Sequence, residues 1–299
     1  MRIHDRGIQE NLLSGIQANR AALQELQEQI SSGKRFSRAS QDPSAFRQKS
    51  SIERTVSSLE QDRRLMEQGG TFLTQADQAL DTLTQNVRRL RSVVLQRGSD
   101  GRGFQVAQTL STEVDRLIES SVNSLNSEIN GTYLFAGFRS KTKPFQMTTS
   151  STGIAKVDYL GDSGSPPIPL PGGKSMKVPL NGESIASVPG DDLMSLGVEL
   201  KSAILDEEFD GEAFLERIQA LEENLLLRRS QAGSAQKHLQ QLNDSLNDRV
   251  LTLRKEYESL VGTDLTEAIT ESLSTELSLQ ASMQTAARSN QLSLVNYLR

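Results

Sequence analysis

The feature that most constrains this chain is a seven-residue repeat. Leu73, Ala76, Leu80, Leu83, Val87, Leu90 and Val94 are spaced by alternating steps of three and four. Apolar residues at that spacing form a seam along an α-helix, and a strict heptad drifts around a straight helix unless partner helices supercoil. Much further along, Ile218, Leu225, Ala232, Leu239, Leu246, Leu253 and Leu260 recur every seventh residue. Their companion positions are weaker. Phe214, Leu221 and Leu242 are apolar, Arg228 and Arg249 are not, and Val250 and Tyr257 take over near the end. The simplest partner for one seam is the other, folded back antiparallel. An ordinary amphipathic helix in a globular core is the plainer reading, and the length of the repeat disfavours it.

Helix breakers mark where the arms stop. Seven of the eight prolines lie between Pro144 and Pro189, and eleven of the 21 glycines between Gly131 and Gly211. Within that stretch, 154–160 and 174–180 alternate apolar and polar residues, with turn signals at Gly161-Asp162 and Gly172-Gly173. The proline run 166–171 reads as extended. The fold class predicted is mainly α: a long antiparallel coiled-coil or helical bundle formed by N- and C-terminal arms, with a small β-rich central insert. The expected boundaries are a terminal helix at 1–40, the first half of the bundle at 41–140, the surface-exposed insert at 141–210, the second half of the bundle at 211–262 and a second terminal helix at 263–299.

The two ends carry narrower stripes. Leu12, Ile16, Leu23, Leu26 and Ile30 follow the heptad, with polar Asn19 in one slot. The other end has Leu265, Ile269, Leu273 and Leu277, then Met283, Leu294 and Leu298, and Asp264 with Glu267 forms a capping-box pattern. Ser, Thr, Gln and Asn fill the spaces. A lone helix of this kind is marginal in water, so each end is a segment that needs a partner helix.

Composition removes most chemistry. There is no cysteine and no tryptophan, and the only histidines are His4 and His238. Disulfides, thiolate nucleophiles and Cys-type metal sites are excluded together. With 33 basic and 38 acidic residues the net charge is −5, which argues against a nucleic-acid binder or a protein held on acidic lipid by charge. No run of apolar residues reaches transmembrane length, so no membrane insertion is expected. The first twenty residues lack the apolar core of a secretory signal, so export would have to use another route.

Individual motifs point the same way. Gly173-Lys174-Ser175 echoes a P-loop, but Ile168 stands where its first glycine belongs. Gly98, Gly101 and Gly103 read as a loop between helices. Asp191-Asp192 and Glu207-Glu208 read as solvated pairs, with no histidine near them in sequence. Asn130-Gly131-Thr132 fits a glycosylation sequon and, more simply, a turn. Ser32-Gly33 ends one helix, and Asp42-Pro43 starts the next as N-cap and first residue. No catalytic, cofactor-binding or metal-binding residues emerge, and no cofactor is expected.

Three segments in order resemble the bacterial flagellin superfamily. Ser31-Ser32-Gly33-Lys34-Arg35-Phe36 with Ala39-Ser40-Gln41-Asp42-Pro43-Ser44-Ala45 is similar to its "SSGKR…SDDPxA" loop. The Asp-Pro form is typical of its hook–filament junction members. Asn130–Gly137 with Lys143-Pro144-Phe145 is similar to "GxYLFAG…T.PF", and residues 264–269 and 290–298 to the shared C-terminus. Gln41 departs from the family, where an acid is common; a local cap or ion pair is what this puts in doubt. The resemblance covers about 1–145 and 210–299.

The resemblance implies a structural, non-enzymatic part of the extracellular flagellum, exported by the flagellar type III route. It implies terminal helices that are disordered in the monomer and pack into the flagellar tube. It also implies a junction adaptor that enables filament assembly and motility. The implied partners are hook-associated protein 1, flagellin, further copies of the chain in a ring, and an export chaperone. Leu12, Ile16, Leu23, Ile30, Leu265, Ile269, Leu273, Leu294 and Leu298 are the expected assembly residues. The competing readings are a flagellin that builds the filament itself and, from another class, a secreted coiled-coil adhesin or effector.

Overall fold

The computed structural model describes residues 2–99, 103–150 and 153–297, with side chains from 10 to 288. Seven helices account for most of it: α1 (Arg2–Ser32), α2 (Pro43–Ser99), α3 (Phe104–Leu125), α4 (Gly182–Ala186), α5 (Leu193–Ala203), α6 (Gly211–Val261) and α7 (Leu265–Tyr297). Four small antiparallel hairpins pair β1 (Glu128–Ile129) with β2 (Thr132–Tyr133), β3 (Phe145–Ser150) with β4 (Gly153–Tyr159), β5 (Ile168–Leu170) with β6 (Lys174–Met176), and β7 (Ser187–Val188) with β8 (Asp191–Asp192). The chain divides into two compact units: residues 59–247, and the two ends, 1–58 with 248–299. The mainly-α class with a small β insert is what the sequence predicts.

In the larger unit, α2 and α6 run antiparallel along the two heptad seams. Every member of the α2 seam is at most 2% exposed, and Ile218, Leu225, Ala232 and Leu239 of α6 are at most 4% exposed. Ion pairs staple the seam from outside: Arg229 reaches Asp77 (2.8 Å) and Asp81, Arg88 reaches Glu222 (2.7 Å), and Gln236 donates to Thr74 (3.1 Å). The falling α2 numbers against rising α6 numbers fix the antiparallel sense. α3 packs on α5, and Val114, Ile118, Val122 and Leu125 of α3 are buried in the same core as Leu193, Leu196, Leu200 and Ile204 of the α5 region.

α5 is a departure from the sequence reading, which takes 141–210 as non-helical. Asp192 is its N-cap, accepting from the Met194 and Ser195 amides (3.1 and 3.0 Å). Asp191 accepts from Arg217 (2.8 Å), and that hydrogen bond holds its carboxyl below the ordinary carboxylate value. The pair read as solvated carboxylates therefore caps a helix and anchors it to α6. Within the proline run expected to be extended, Ile168–Leu170 pairs as a strand, while Pro171 opens a short 3-10 turn.

The 130–137 segment has a physical reason for its residues. Asn130-Gly131 makes the two-residue turn of the β1–β2 hairpin, with φ of 52° and 75°. Leu134, Phe135 and Ala136 then plunge into the core at 5%, 0% and 0% exposure. Gly137 follows at φ 68°, and a Cβ there would sit 2.3 Å from Asp162 Oδ1. The Asp162 carboxylate accepts from the amides of Phe138, Arg139 and Gly164, which lowers its pKa. Only glycine fits that turn and that contact together.

Candidate assembly surface

The smaller unit brings the two ends of the chain together at a joint. Gly33, at φ 66°, terminates α1, and its carbonyl accepts from the Thr263 amide (3.1 Å). The Arg35 amide donates to the Val261 carbonyl (2.7 Å), and Lys34 bridges Gly262. Phe36, Ala45 and Val261 are buried together, with Phe46, Tyr257 and Leu260 packed around them. Asp42 caps α2, accepting from the Ser44 and Ala45 amides and the Ser44 hydroxyl, and these bonds lower its pKa. Asp264 caps α7 through the Thr266 and Glu267 amides (2.9 and 3.2 Å).

Gln41 stands where the flagellin loop it resembles commonly has an acid, and the structure gives it a local role. Its carbonyl oxygen accepts from the Ser37 and Arg38 amides (2.8 and 3.0 Å), and its amide nitrogen donates to Glu25 (3.0 Å). An acid could accept the two amides but would repel Glu25. Glutamine does both jobs because it carries donor and acceptor.

Beyond the joint, α1 and α7 pack along each other. On α1 the stripe withdrawn from solvent is Leu12, Ile16, Asn19, Leu23, Leu26 and Ile30, with Glu28 and Gln29 also half-buried beside the joint; Leu26 is buried at 8% exposure and the other stripe residues are half-buried. On α7 the withdrawn residues are Ala268, Ser272, Thr275, Leu279, Ser282 and Ala286. Both sets step by four, three, four, three, four, so both are heptad seams. Apart from Leu279, the α7 seam is made of small and hydroxylated side chains and buries little apolar area.

The other large apolar residues described on α7 lie on another face. Leu265, Ile269, Leu273 and Leu277, at four-residue spacing, are 48%, 46%, 58% and 67% exposed, and Met283 is 41% exposed. Of the expected assembly residues, Leu12, Ile16, Leu23 and Ile30 therefore line the α1 side of the seam, while Leu265, Ile269 and Leu273 face solvent. Leu294 lies in α7 beyond the described side chains, and Leu298 lies outside the described residues. Sequence reasoning missed the Ala268–Ser272–Thr275–Leu279 seam. Its signal was the three-four spacing, carried by residues too small to stand out as apolar.

Among the described residues no group of His, Asp and Glu could hold a metal, and no helix is long and apolar enough to cross a membrane. His238 is exposed on α6, and the His4 side chain is outside the described ones. The surface offers packing and charge.

The class of protein to which this chain is similar is the flagellin type. Residues 3–140 match the bacterial flagellin N-terminal helical region. The particular protein this chain resembles is flagellar hook-associated protein 3. The one from Salmonella typhimurium is 27% identical over 278 residues, covering 90% of this chain and 82% of that protein. Among solved structures, a Vibrio parahaemolyticus chain assigned as a flagellar hook-associated protein superposes with a TM-score of 0.66 at 19% identity, over 74% of this chain and all of that one. Bacillus cereus FlgL gives 0.56 at 19% identity, over 68% and 96%. The two structural likenesses establish a shared fold.

Proposed function

We propose that this chain is a non-enzymatic structural subunit of the bacterial flagellum that joins the hook to the filament. Hook-associated protein 1 is its neighbour on the hook side, flagellin on the distal side, and further copies of the chain complete a ring. It is exported through the flagellar type III apparatus, with an export chaperone, and works outside the cell. The terminal helices order fully when they enter the assembly, where Leu12, Ile16, Leu23, Ile30, Leu265, Ile269, Leu273, Leu294 and Leu298 make the contacts.

The observation that carries this reading is the two-faced α7. Its small seam is satisfied by α1 of the same chain, while its Leu and Ile face is unsatisfied. Full burial of each Leu or Ile is worth about 1.5–3 kcal/mol, so four of them give a docking helix a strong drive to find partners. Ordering the helix on assembly costs entropy that many such contacts together offset.

The test is a mixing experiment by electron microscopy. Hooks carrying hook-associated protein 1 are incubated with this chain and then with flagellin. The expected result is a thin added zone from which filaments extend, and no zone with the Ile269→Asp/Leu273→Asp variant. The flagellin-type N-terminal match favours one second reading, a filament subunit. Long filaments grown from this chain unaided would establish that reading instead.

A further inference from the structure

The 138–143 loop of the larger unit presents a surface that is both apolar and basic. Phe138 is 66% exposed and the neighbouring Leu160 is 40% exposed, and the loop also carries Arg139, Lys141 and Lys143. The two lysines are exposed, and neither makes an ion pair among the described residues. The loop is held from beneath. Asp162 accepts from the Phe138 and Arg139 amides (3.0 and 3.1 Å), Arg139 donates to the Leu160 carbonyl (3.3 Å), and the Tyr133 amide donates to the Ser140 carbonyl (2.8 Å). The Phe138 ring lies so close to Gly164 that a Cβ there would collide with it. A ring already fixed in the open loses little freedom when a partner covers it.

A complementary surface lies on the outer face of α6. Leu226 and Leu227 are 42% and 54% exposed. Glu216 and Glu223, on the same side of the helix by their three-, four- and seven-residue spacing, are exposed and form no ion pair among the described residues. Glu223 accepts from Gln219 (3.0 Å), while Glu222 is already taken by Arg88 and Arg91. The rest of the circumference of α6 is occupied. Leu225 and Ala232 are in the core, and Asn224 and Arg228 donate to carbonyls at α4, Ser184 among them.

Both surfaces stand beside the middle stretch of α2, at the same height. Arg229, two residues after Leu227, reaches Asp77 and Asp81 of α2. α3 runs antiparallel to α2, with Glu113 on Arg89 and Ser120 and Ser121 on Asn86. It continues from there to Leu125, about 7.5 Å further at 1.5 Å per residue, and so ends beside the same stretch. The loop hangs from that end, because Asn126 accepts from the Phe145 amide and donates to its carbonyl (2.9 and 3.0 Å). The two surfaces also face opposite ways. α4 covers the inner side of α6, the Gly182 amide of α4 donates to the Phe135 carbonyl (2.7 Å), and Phe138 lies beyond buried Phe135, on the far side.

We propose that these two surfaces meet between copies of this chain: the basic, apolar 138–143 loop of one copy docks on the acidic, apolar outer face of α6 in the next. The occupant is a second copy because the two surfaces match in charge, in exposed apolar side chains and in height, and lie on opposite sides of one unit. Such a contact is heterologous. Equal height leaves rotation alone between neighbours, and heterologous contacts related by rotation close into a ring. The contact presupposes the reading of the chain as a ring subunit and assigns the surfaces the ring uses.

The experiment uses the full chain, at low salt and high concentration. Isotopically mixed protein is cross-linked with a zero-length carbodiimide, and self-association is followed by sedimentation. The expected result is intermolecular cross-links from Lys141 or Lys143 to Glu216 or Glu223, and association that falls as salt rises. Lys141→Glu/Lys143→Glu and Glu216→Lys/Glu223→Lys each weaken association by about tenfold or more, because attraction becomes repulsion. Mixing the two variants restores it, since each then supplies the charge the other needs. All four residues are exposed, and an unchanged melting transition checks that both variants fold. Absence of these cross-links, or variants that associate like the parent, overturns the inference. The hook-mixing experiment fails or succeeds separately. Variants that form the same thin zone on hooks as the parent keep the junction reading while this contact falls, and a parent that cross-links as expected but forms no zone keeps the contact while the junction reading falls.

Discussion

The two compact units solve the same packing problem to different depths. In the 59–247 unit the α2 seam is closed on every side by α6 and by the strands and short helices of the insert, and residues such as Leu80, Leu83 and Val87 reach 0% exposure. In the unit made from the chain ends, α1 and α7 meet through a seam where most residues remain half-exposed, and Leu265, Ile269, Leu273 and Leu277 of α7 point away. Its own buried cluster is confined to the joint around Phe36, Ala45 and Val261. The difference teaches a division of labour. One unit holds its fold by its own contacts; the other leaves apolar surface for a neighbour to cover.

Breaking the first unit should cost most. Leu80→Ala removes a side chain at 0% exposure, and should destabilise by about 2–5 kcal/mol through lost burial and a cavity. Urea unfolding read by circular dichroism checks it, with a lower midpoint at unchanged slope. Gly137→Ala should come next, at about 1–3 kcal/mol, because its Cβ meets Asp162 in a positive-φ turn. Asp192→Ala should cost about 1 kcal/mol by uncapping α5.

A pH series sharpens the picture of how α5 is anchored. Arg217 holds the Asp191 carboxyl below the ordinary carboxylate value of 3.8. The unfolded chain therefore takes up that proton at higher pH than the folded chain. The stability it contributes is complete above 3.8 and is lost as pH falls through the lower folded value. Urea midpoints at falling pH should drop less in Asp191→Asn than in the parent. The smallest expected stability effect is in the terminal unit. Ile269→Asp/Leu273→Asp should leave the main unfolding transition where it is, since both side chains are exposed.

These differences also explain what the sequence could reveal. The α2 seam is legible because large apolar residues repeat over three heptads with no breaker between them. The α6 seam is legible at its every-seventh positions despite Arg228, which turns out to donate to the Ser184 carbonyl. α5 is hidden because the insert is crowded with proline and glycine, and Gly197 interrupts it where Ile118 packs closely. Leu193, Leu196, Leu200 and Ile204 carry its period, and Asp192 marks its start. On α7 the conspicuous Leu and Ile residues at 265–277 draw attention to the exposed face, while the seam that holds α1 is written in Ala, Ser and Thr around a single Leu279. Pairing between 33–35 and 261–263 joins positions more than 220 residues apart, and nothing local in the sequence announces it.

The most direct test of the central claim is amide hydrogen exchange, measured along the free chain and again in the assembled junction. Exchange reports local opening, so it separates the two units within one experiment. The account predicts slow exchange in α2, α3 and α6 within 59–247 in both states. It predicts fast exchange in α1 and α7 of the free chain that becomes slow on assembly. Protection of α1 and α7 in the free chain equal to that of the 59–247 core would contradict it.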